Sequence, residues 1–297
     1  VGHRVAHGGE FFPESCIVTE EVKSKIRSLF EIAPLHNPAN LKGIYAVKEL
    51  CPAIPQVVCF DTSFHQSMPP RSYIYGLPYK YYEQYRVRRY GFHGTSHNYA
   101  AQKAAELFGR AGRFICCHLG GGASVTAIKD GKSVDTTMGY TPSAGIMMAT
   151  RAGDMDPYIP LHIMKTQGKT ADEVNAMFNK QSGLYGLSCG HSDMRDIIEN
   201  AAKGDENCAF AIDAFVYSLL KTIGSYVAVL GGVDALIFTA GIGENASLVR
   251  EKLCARLAYL GIELDGEKNR ARPAPAEISA PQSKVKVYVI PANEELM

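Results

Sequence analysis

The sequence lacks the features that identify several common classes of protein. It carries 31 Lys and Arg against 30 Asp and Glu, so its net charge of +1 gives no reason to expect binding to nucleic acid or to an anionic membrane. No uninterrupted apolar run approaches the ~18 residues of a membrane-spanning helix. The first residues, Val1 to Arg4, do not show the charged and then apolar layout of a signal peptide.

Cysteine pairs at the spacing of a metal site are also missing. The eight cysteines are scattered and form no C-x-x-C pair, which argues against a zinc site and against a disulfide scaffold. Several lie inside apolar runs, where a free cysteine behaves as a small hydrophobic residue. We therefore expect free thiols and a cytoplasmic protein.

A glycine turn between two strands stands out among the features that are present. Phe114 to Leu119 is rich in aromatic, β-branched and cysteine residues and predicts a buried strand. Gly120 to Gly122 remove every Cβ from the next turn, so that backbone N–H groups can approach a ligand. Asp130-Gly131 then predicts a two-residue hairpin turn. No Gly-Lys-Ser/Thr follows, so this turn is not a P-loop. Taken alone, the stretch is equally consistent with a flexible turn and with a phosphate-binding site.

The rest of the chain alternates helical and strand patterns, and 297 residues with 46% hydrophobic content can form about two packed domains. Ser96 is expected to cap a helix that reaches Phe108. Residues 66–90 are expected to be an irregular connection. Further helices are predicted at Thr19–Ala33, Leu41–Leu50, 170–180, 192–203 and 206–230, and further strands at Gln56–Phe60, Ala235–Thr239 and Lys284–Ile290.

Polar and charged residues gather where predicted strands end, which is where open α/β sheets bind ligands. Phosphoryl transfer needs cations to neutralise phosphate oxygens, a carboxylate to anchor Mg²⁺, and backbone N–H groups to hold a nucleotide. His93 and His97 lie four residues apart, a spacing that suits two metal ligands on one helix. Gly94 and the expected cap place His93 outside the helix, so we interpret His97 as a packed, hydrogen-bonded histidine. The candidates at these ends are Arg4, Asp61, His93, Arg151, Glu294 and the turns Gly120–Gly122 and Gly241–Asn245.

The residue sequences of these motifs resemble those of the acetate kinase family, which is part of the actin-like ATPase superfamily. The strings follow the family's order along the entire chain: GHRVAHGGE, APLHNP, FDTSFHQSMPP, YGFHGTSH, HLGGGASV, DTTMGYTP, TRAGDMDP, FTAGIGEN and IPANEEL. The resemblance implies an α/β fold of two ribonuclease-H-like domains with a cleft between them, and a homodimer. It implies transfer of a phosphoryl group from ATP to acetate, with propionate kinase as the nearest alternative.

The resemblance also implies roles for individual residues. Arg4 and Arg151 would clamp the carboxylate and the transferring phosphoryl group, His93 would hydrogen-bond its oxygens, and Asp61 would act near the acyl substrate or Mg²⁺. Glu294 would hold Mg²⁺, which Mn²⁺ could replace. The acyl pocket would be lined by Ala6, Leu35, Phe92 and Pro142, and ATP would be held by His118, Leu119, Gly120, Gly121, Gly122, Asp193, Met194, Arg195, Gly241, Ile242, Gly243, Glu244 and Asn245.

Three positions depart from the family's usual pattern. Gly121 stands where the family usually has Asn, which removes one side-chain donor near the phosphates. Ala6 stands where Val is common, and the larger pocket predicts better tolerance of propionate. Ser143-Ala144-Gly145 replaces the more usual Leu-Glu-Gly, for which we have no account.

The family's first strand and its Asn/Ser-rich turn have no counterpart before Val1. We therefore expect an incomplete first domain (residues 1–62), a nucleotide-binding second domain (63–297), and weak nucleotide binding or an inactive fragment. Two rivals remain to be distinguished. A nucleotide-gated scaffold would not need a second arginine or an acyl pocket, and a metal hydrolase using His93 and Asp61 would need a closed ligand set.

Overall fold

The computed structural model describes residues 1–34, 36–271 and 275–296. It contains two sheets with helices packed on them. The strands are β1 Gly2–Val5, β2 Cys16–Ile17, β3 Val57–Phe60, β4 Arg113–Leu119, β5 Ala123–Lys129, β6 Lys132–Thr136, β7 Ala235–Thr239, β8 Ala276–Glu277 and β9 Lys286–Val289. The helices are α1 Glu20–Ser28, α2 Asn37–Leu50, α3 Pro70–Tyr73, α4 Lys80–Tyr85, α5 Gly94–Phe108, α6 Tyr158–Gln167, α7 Ala171–Lys180, α8 Gly183–Leu187, α9 Met194–Ala202, α10 Glu206–Leu230, α11 Ala240–Asn245, α12 Ser247–Arg256 and α13 Gly266–Ala271.

The smaller sheet has the order β1-β3-β2, with β1 parallel and β2 antiparallel to β3. Helices α1 and α2 cover it, and Ile26 and Ile44 are buried against Val58 and Phe60. As expected, the Thr19 side chain caps α1 by accepting a hydrogen bond from the Val22 N–H. Because β1 and β3 are parallel, the residues that follow them, including Asp61, lie at the same edge of this sheet.

The larger sheet has the order β6-β5-β4-β7-β9-β8, and its centre, β4-β7-β9, is parallel. Alternate residues of β4 face opposite sides, as the two-residue period of a strand requires. Ile115 and Cys117 belong to the core that α10 covers, and Phe114 and Cys116 to the core that α5 covers. A sheet buried on both faces explains why β4 and β7 are continuous apolar runs.

The hairpin between β5 and β6 follows the sequence prediction. Asp130 and Gly131 have φ values of 51° and 78°. A two-residue turn that continues the twist of its strands requires positive φ angles at both positions. The glycine turn before β5 and helix α11 after β7 begin at the carboxyl ends of neighbouring parallel strands. Open α/β sheets bind ligands at the carboxyl ends of their strands, so this edge of the larger sheet is the expected ligand site.

Some predicted boundaries are wrong. Helix α5 begins at Gly94, so Ser96 lies inside the helix rather than at its cap, and His93 occupies the cap position with φ 56°. The Gly94 N–H donates to the Asp61 carbonyl at 2.8 Å, and the helix starts three residues earlier than predicted. Helix α1 ends at Ser28, before the predicted Ala33, and α2 begins at Asn37, ahead of the predicted Leu41. The connection 66–90 holds the short helices α3 and α4.

Helix α10 has the length and apolar composition of a membrane span, and it is the one helix of the described ranges that does. One side of it, including Phe215 and Leu219, is fully buried in the main core. Asp213 and Lys221 interrupt its apolar residues. The helix is thus packed as a core helix.

An ion pair joins the loop after β1 to the segment before α5. The Arg88 guanidinium is 4% exposed, donates to Glu10 Oε1 at 2.6 Å, and lies 3.5 Å from the centre of the Tyr73 ring. Arg86 adds a second contact to Glu10 at 3.6 Å. The loop after β1 is therefore held to the segment before α5 by a largely buried ion pair.

Candidate functional site

Arg4, Asp61 and Glu294 form a charged cluster at the ends of β1 and β3. Arg4 donates to both carboxylate oxygens of Asp61, each at 2.8 Å, and its Nε lies 3.5 Å from Glu294 Oε2. The Asp61 side chain is buried, whereas that of Arg4 is 56% exposed. Burial raises the pKa of Asp61, and the two hydrogen bonds from Arg4 lower it. The pKa of Asp61 is raised overall, and the bidentate contact with Arg4 opposes that rise because both hydrogen bonds favour the charged carboxylate.

His93 and Arg151 meet above the glycine turn. A Cβ built on Gly122 would lie 3.4 Å from His93 Nε2 and 3.4 Å from Arg151 Nη1. Both groups therefore face the same small space beside Gly122. Arg151 is held from behind by the Pro142 carbonyl, to which its Nη1 donates at 3.0 Å. Burial lowers the pKa of Arg151, but an arginine remains protonated in proteins.

Arg4 also lies close to this space. Burial lowers the pKa of His93 well below its ordinary value, and the charges of the neighbouring Arg4 and Arg151 lower it further. The ring of His93 is therefore neutral near pH 7. Two cations and one neutral imidazole therefore lie in the same region of the structure.

A cleft of about 520 Å³ opens beside this group, between the glycine turn, the start of α9 and helix α11. Its predicted lining residues are Gly120, Gly121, Asp193, Met194, Arg195, Gly241, Ile242 and Asn245. Asp193 caps α9, and its hydrogen bonds with Arg195 lower its pKa to about 2. Three separate stretches of sequence therefore meet around one cavity.

Other predicted nucleotide residues support this cleft without lining it. Leu119 is fully buried in the core, and a Cβ on Gly243 would touch the backbone of Phe238. Glu244 accepts a hydrogen bond from the Ala292 N–H at 2.9 Å. The ring of His118 stacks on that of His93, with centroids 4.0 Å apart.

Sequence reasoning missed Ala149, Ser192, Ile198 and Ala246, which also line the cleft. Ile198 lies four residues after Met194 on α9, so helical spacing could have found it. Ala149 donates its N–H to the Gly121 carbonyl at 3.2 Å. That contact joins distant segments, and nothing in the local sequence indicates it.

The predicted acyl-pocket residues lie on three segments. The Ala6 N–H donates to Asn40 Oδ1 at 3.2 Å, and Phe92 is buried next to His93. The Pro142 carbonyl contacts Arg151, as described above. Leu35 lies outside the described residues.

Comparison with known proteins identifies the family. The sequence profile described as "Acetokinase family" matches residues 1–297. The chain belongs to the acetokinase family. The acetate kinase of Dictyoglomus turgidum is 53% identical over 300 residues, which cover 100% of this chain and 74% of that protein. The acetate kinase of Thermotoga maritima is 53% identical over 303 residues, with 100% and 75% covered.

Solved structures of acetokinases have the same fold. The Porphyromonas gingivalis acetate kinase superposes with a TM-score of 0.95 at 45% identity, over 99% of this chain and 75% of that one. A propionate kinase from Francisella tularensis superposes with a TM-score of 0.95 at 43% identity, over 99% and 76%. The predicted α/β fold of the actin-like ATPase type is confirmed.

Proposed function

We propose that the protein is an acetate kinase, which transfers the γ-phosphoryl group of ATP to acetate and forms acetyl phosphate and ADP. The observation that carries this proposal is the convergence of Arg4, Arg151 and His93 beside the cleft. A nucleotide-binding scaffold would need the cleft but not a second guanidinium next to it.

The chemistry needs charge neutralisation and positioning more than acid–base catalysis. A carboxylate is already ionised at pH 7, so no residue has to deprotonate it. One of its oxygens forms a bond to the γ-phosphorus by direct in-line transfer, while the bond to the β,γ-bridging oxygen breaks and ADP leaves with the electron pair. Arg4 and Arg151 neutralise charge on the carboxylate and the phosphoryl group, and His93 donates a hydrogen bond to a phosphoryl oxygen.

The two carboxylates near Arg4 fit Mg²⁺. Mg²⁺ takes oxygen ligands and commonly binds one or two carboxylates together with water and substrate phosphates. Burial raises the pKa of Glu294, the charge of Arg4 lowers it, and the charge of Asp61 raises it, so the two carboxylates repel each other and Arg4 already offsets part of that repulsion. Glu294 would hold the ion, with Asp61 beside it. When bound, Mg²⁺ would neutralise charge on the nucleotide phosphates.

Hydroxylamine trapping tests this function. The protein is incubated with ATP, Mg²⁺, acetate and hydroxylamine, and acyl hydroxamate is measured. Hydroxamate is expected only if an acyl phosphate forms, since neither a scaffold nor a metal-dependent hydrolase makes one. Its absence with acetate, propionate and butyrate alike would refute the proposal.

Propionate kinase is the second candidate within the family. Ala6 leaves more room than the Val common in the family, and the similar structure from Francisella tularensis is described as a propionate kinase. A one-methylene difference is worth ~1–3 kcal/mol, so partial selectivity is expected. The ratio of kcat/KM for acetate and propionate decides which acid is preferred.

The remaining expectations are proposals of the same kind. A homodimer is consistent with the apolar side chains that α10 exposes, Phe210 (60% exposed) and Tyr217 (52% exposed). A cytoplasmic location is consistent with eight free cysteines. A domain boundary between residues 62 and 63 is consistent with His65, which is hydrogen-bonded to Ser133 of the larger sheet. Light scattering would measure the mass in solution.

A further inference from the structure

Two buried side chains and the partly buried His93 form a hydrogen-bonded chain behind the reaction space. Ser124 Oγ lies 2.9 Å from His93 Nδ1 and 2.8 Å from His97 Nε2. Ser124 and His97 are fully buried. The other nitrogen of His93, Nε2, faces the space above Gly122. The His93 ring thus has Nδ1 in the protein interior and Nε2 facing the reaction space.

Ser124 cannot treat both histidines alike. A serine oxygen could accept from both rings, but its own proton would then be buried without an acceptor, so it donates to one ring and accepts from the other. Among the described residues its oxygen has no third hydrogen-bond partner. The direction of this chain therefore decides which nitrogen of His93 carries the proton, because a neutral imidazole has a single N–H.

The surroundings of His97 favour one direction. Its Nδ1 is buried, and no hydrogen-bond partner for it lies in the described part of the chain. If Ser124 donated to His97, this Nδ1 would carry a buried N–H without an acceptor. In the opposite direction it holds only an unpaired acceptor, and unpaired buried acceptors are found more often than unpaired N–H groups.

We infer that Ser124, supported by His97, fixes His93 in the tautomer that carries its proton on Nε2 and presents it to the transferring phosphoryl group. His97 Nε2–H donates to Ser124, and the Ser124 hydroxyl donates to His93 Nδ1. This inference rests on the proposed function for its catalytic meaning. Ser124 and His97 are positioning residues.

The stacked His118 ring holds the plane of His93. The planes of the two rings are inclined at 22° to each other. Ser96 Oγ lies 2.8 Å from His118 Nδ1 and holds that ring in turn. His93 therefore cannot rotate freely to compensate for a lost partner. Removing the Ser124 hydroxyl should change the tautomer rather than the location of the ring.

The tautomer can be measured directly. Long-range ¹H–¹⁵N correlation spectra of the folded protein with ¹⁵N-labelled histidine are recorded near pH 7, and the His93 signals are assigned by His93→Asn. We expect a protonated Nε2 and an unprotonated Nδ1. A protonated Nδ1 in the wild type overturns the inference, whether or not hydroxamate is formed. Absence of hydroxamate refutes the proposed function and leaves this measurement valid.

Kinetics of paired variants supply the second test. Ser124→Ala should lower kcat roughly ten- to a hundredfold, the usual effect of losing a group that orients an active-site histidine, and leave KM for ATP nearly unchanged. Ser133→Ala is the matched control. It removes the same kind of contact, to His65 Nδ1 at 2.9 Å, but the Phe92 carbonyl still holds His65 Nε2. Its kcat should stay close to wild type.

A second pair of variants covers the case in which Ser124→Ala does not fold. His97→Gln keeps an N–H donor for Ser124 and should retain the wild-type tautomer and kcat. His97→Met is similar in size, lacks the donor, and should give a mixture of tautomers with a lower kcat. If the Met and Gln variants have the same tautomer and the same kcat, the inference is wrong.

Discussion

Ala6 is the residue through which acyl selectivity can be tested most simply. Ala6→Val adds two carbons at the predicted acyl pocket, so longer acids should be excluded. We expect kcat/KM for propionate to fall about tenfold relative to acetate, the effect of roughly one methylene of lost space. Steady-state kinetics with both acids measure the ratio. An unchanged ratio would place Ala6 outside the pocket.

Individual reactive residues were predictable from sequence, but their partners were not. Arg4, His93 and Arg151 stand in strings that resemble a known family, and the structure brings them together. Ser124 was not singled out, because its contact with two histidines depends on how β5 pairs with β4 in the fold. Ser96 was misassigned because a serine near a glycine is typical of a helix cap. A Cβ on Gly94 would instead collide with the Asp61 carbonyl, which shows how tightly this helix start is packed.

At the scale of elements, α12 holds α11 in place. Arg250 of α12 is 1% exposed and donates to the carbonyls of Gly243 and Glu244, at 2.7 and 3.0 Å. It also bonds Asn269 through Nε at 2.8 Å. Since α11 forms one wall of the cleft, the position of this wall depends on a buried side chain that does not itself line the cleft.

Arg250→Met should therefore loosen the cleft wall and destabilise the protein. It leaves buried carbonyls unsatisfied, which we expect to cost roughly 2–4 kcal/mol in the free energy of unfolding, and KM for ATP should rise. Urea unfolding and steady-state kinetics measure the two effects. Lys252→Met is the control, because Lys252 is an exposed residue of the same helix that pairs with Asp213. Equal effects of the two variants would contradict this role for Arg250.

Element types were predicted better than element ends. Helix α10 and strand β7 agree with prediction to the residue, because long apolar patterns and flanking Asp and Gly residues determine them. The end of α1 was wrong, since Leu29 and Ala33 are still buried after the helix has ended. Burial pattern alone cannot separate a last helical turn from a packed turn.

For the whole molecule, buried histidines predict instability in acid. Burial lowers the pKa of His7, His65 and His118 from 6.5 to about 4, and lowers those of His93 and His97 further. Between about pH 4 and pH 6.5 the unfolded chain binds more protons than the folded protein. The stability from the neutral rings is therefore complete above pH 6.5 and is lost as the pH falls toward 4.

Urea unfolding at a series of pH values tests this expectation. Each such group contributes up to about 1.4 kcal/mol per pH unit in this window, so the free energy of unfolding should fall by several kcal/mol between neutral pH and about pH 5. His65→Gln should reduce the slope. A flat profile over this range would mean that these rings are not buried in solution.

The ion pair between Glu10 and Arg88 has a consequence for motion. Separating a buried guanidinium from its carboxylate costs several kcal/mol. We therefore expect the loop after β1 and the segment before α5 to move as one unit when the protein fluctuates.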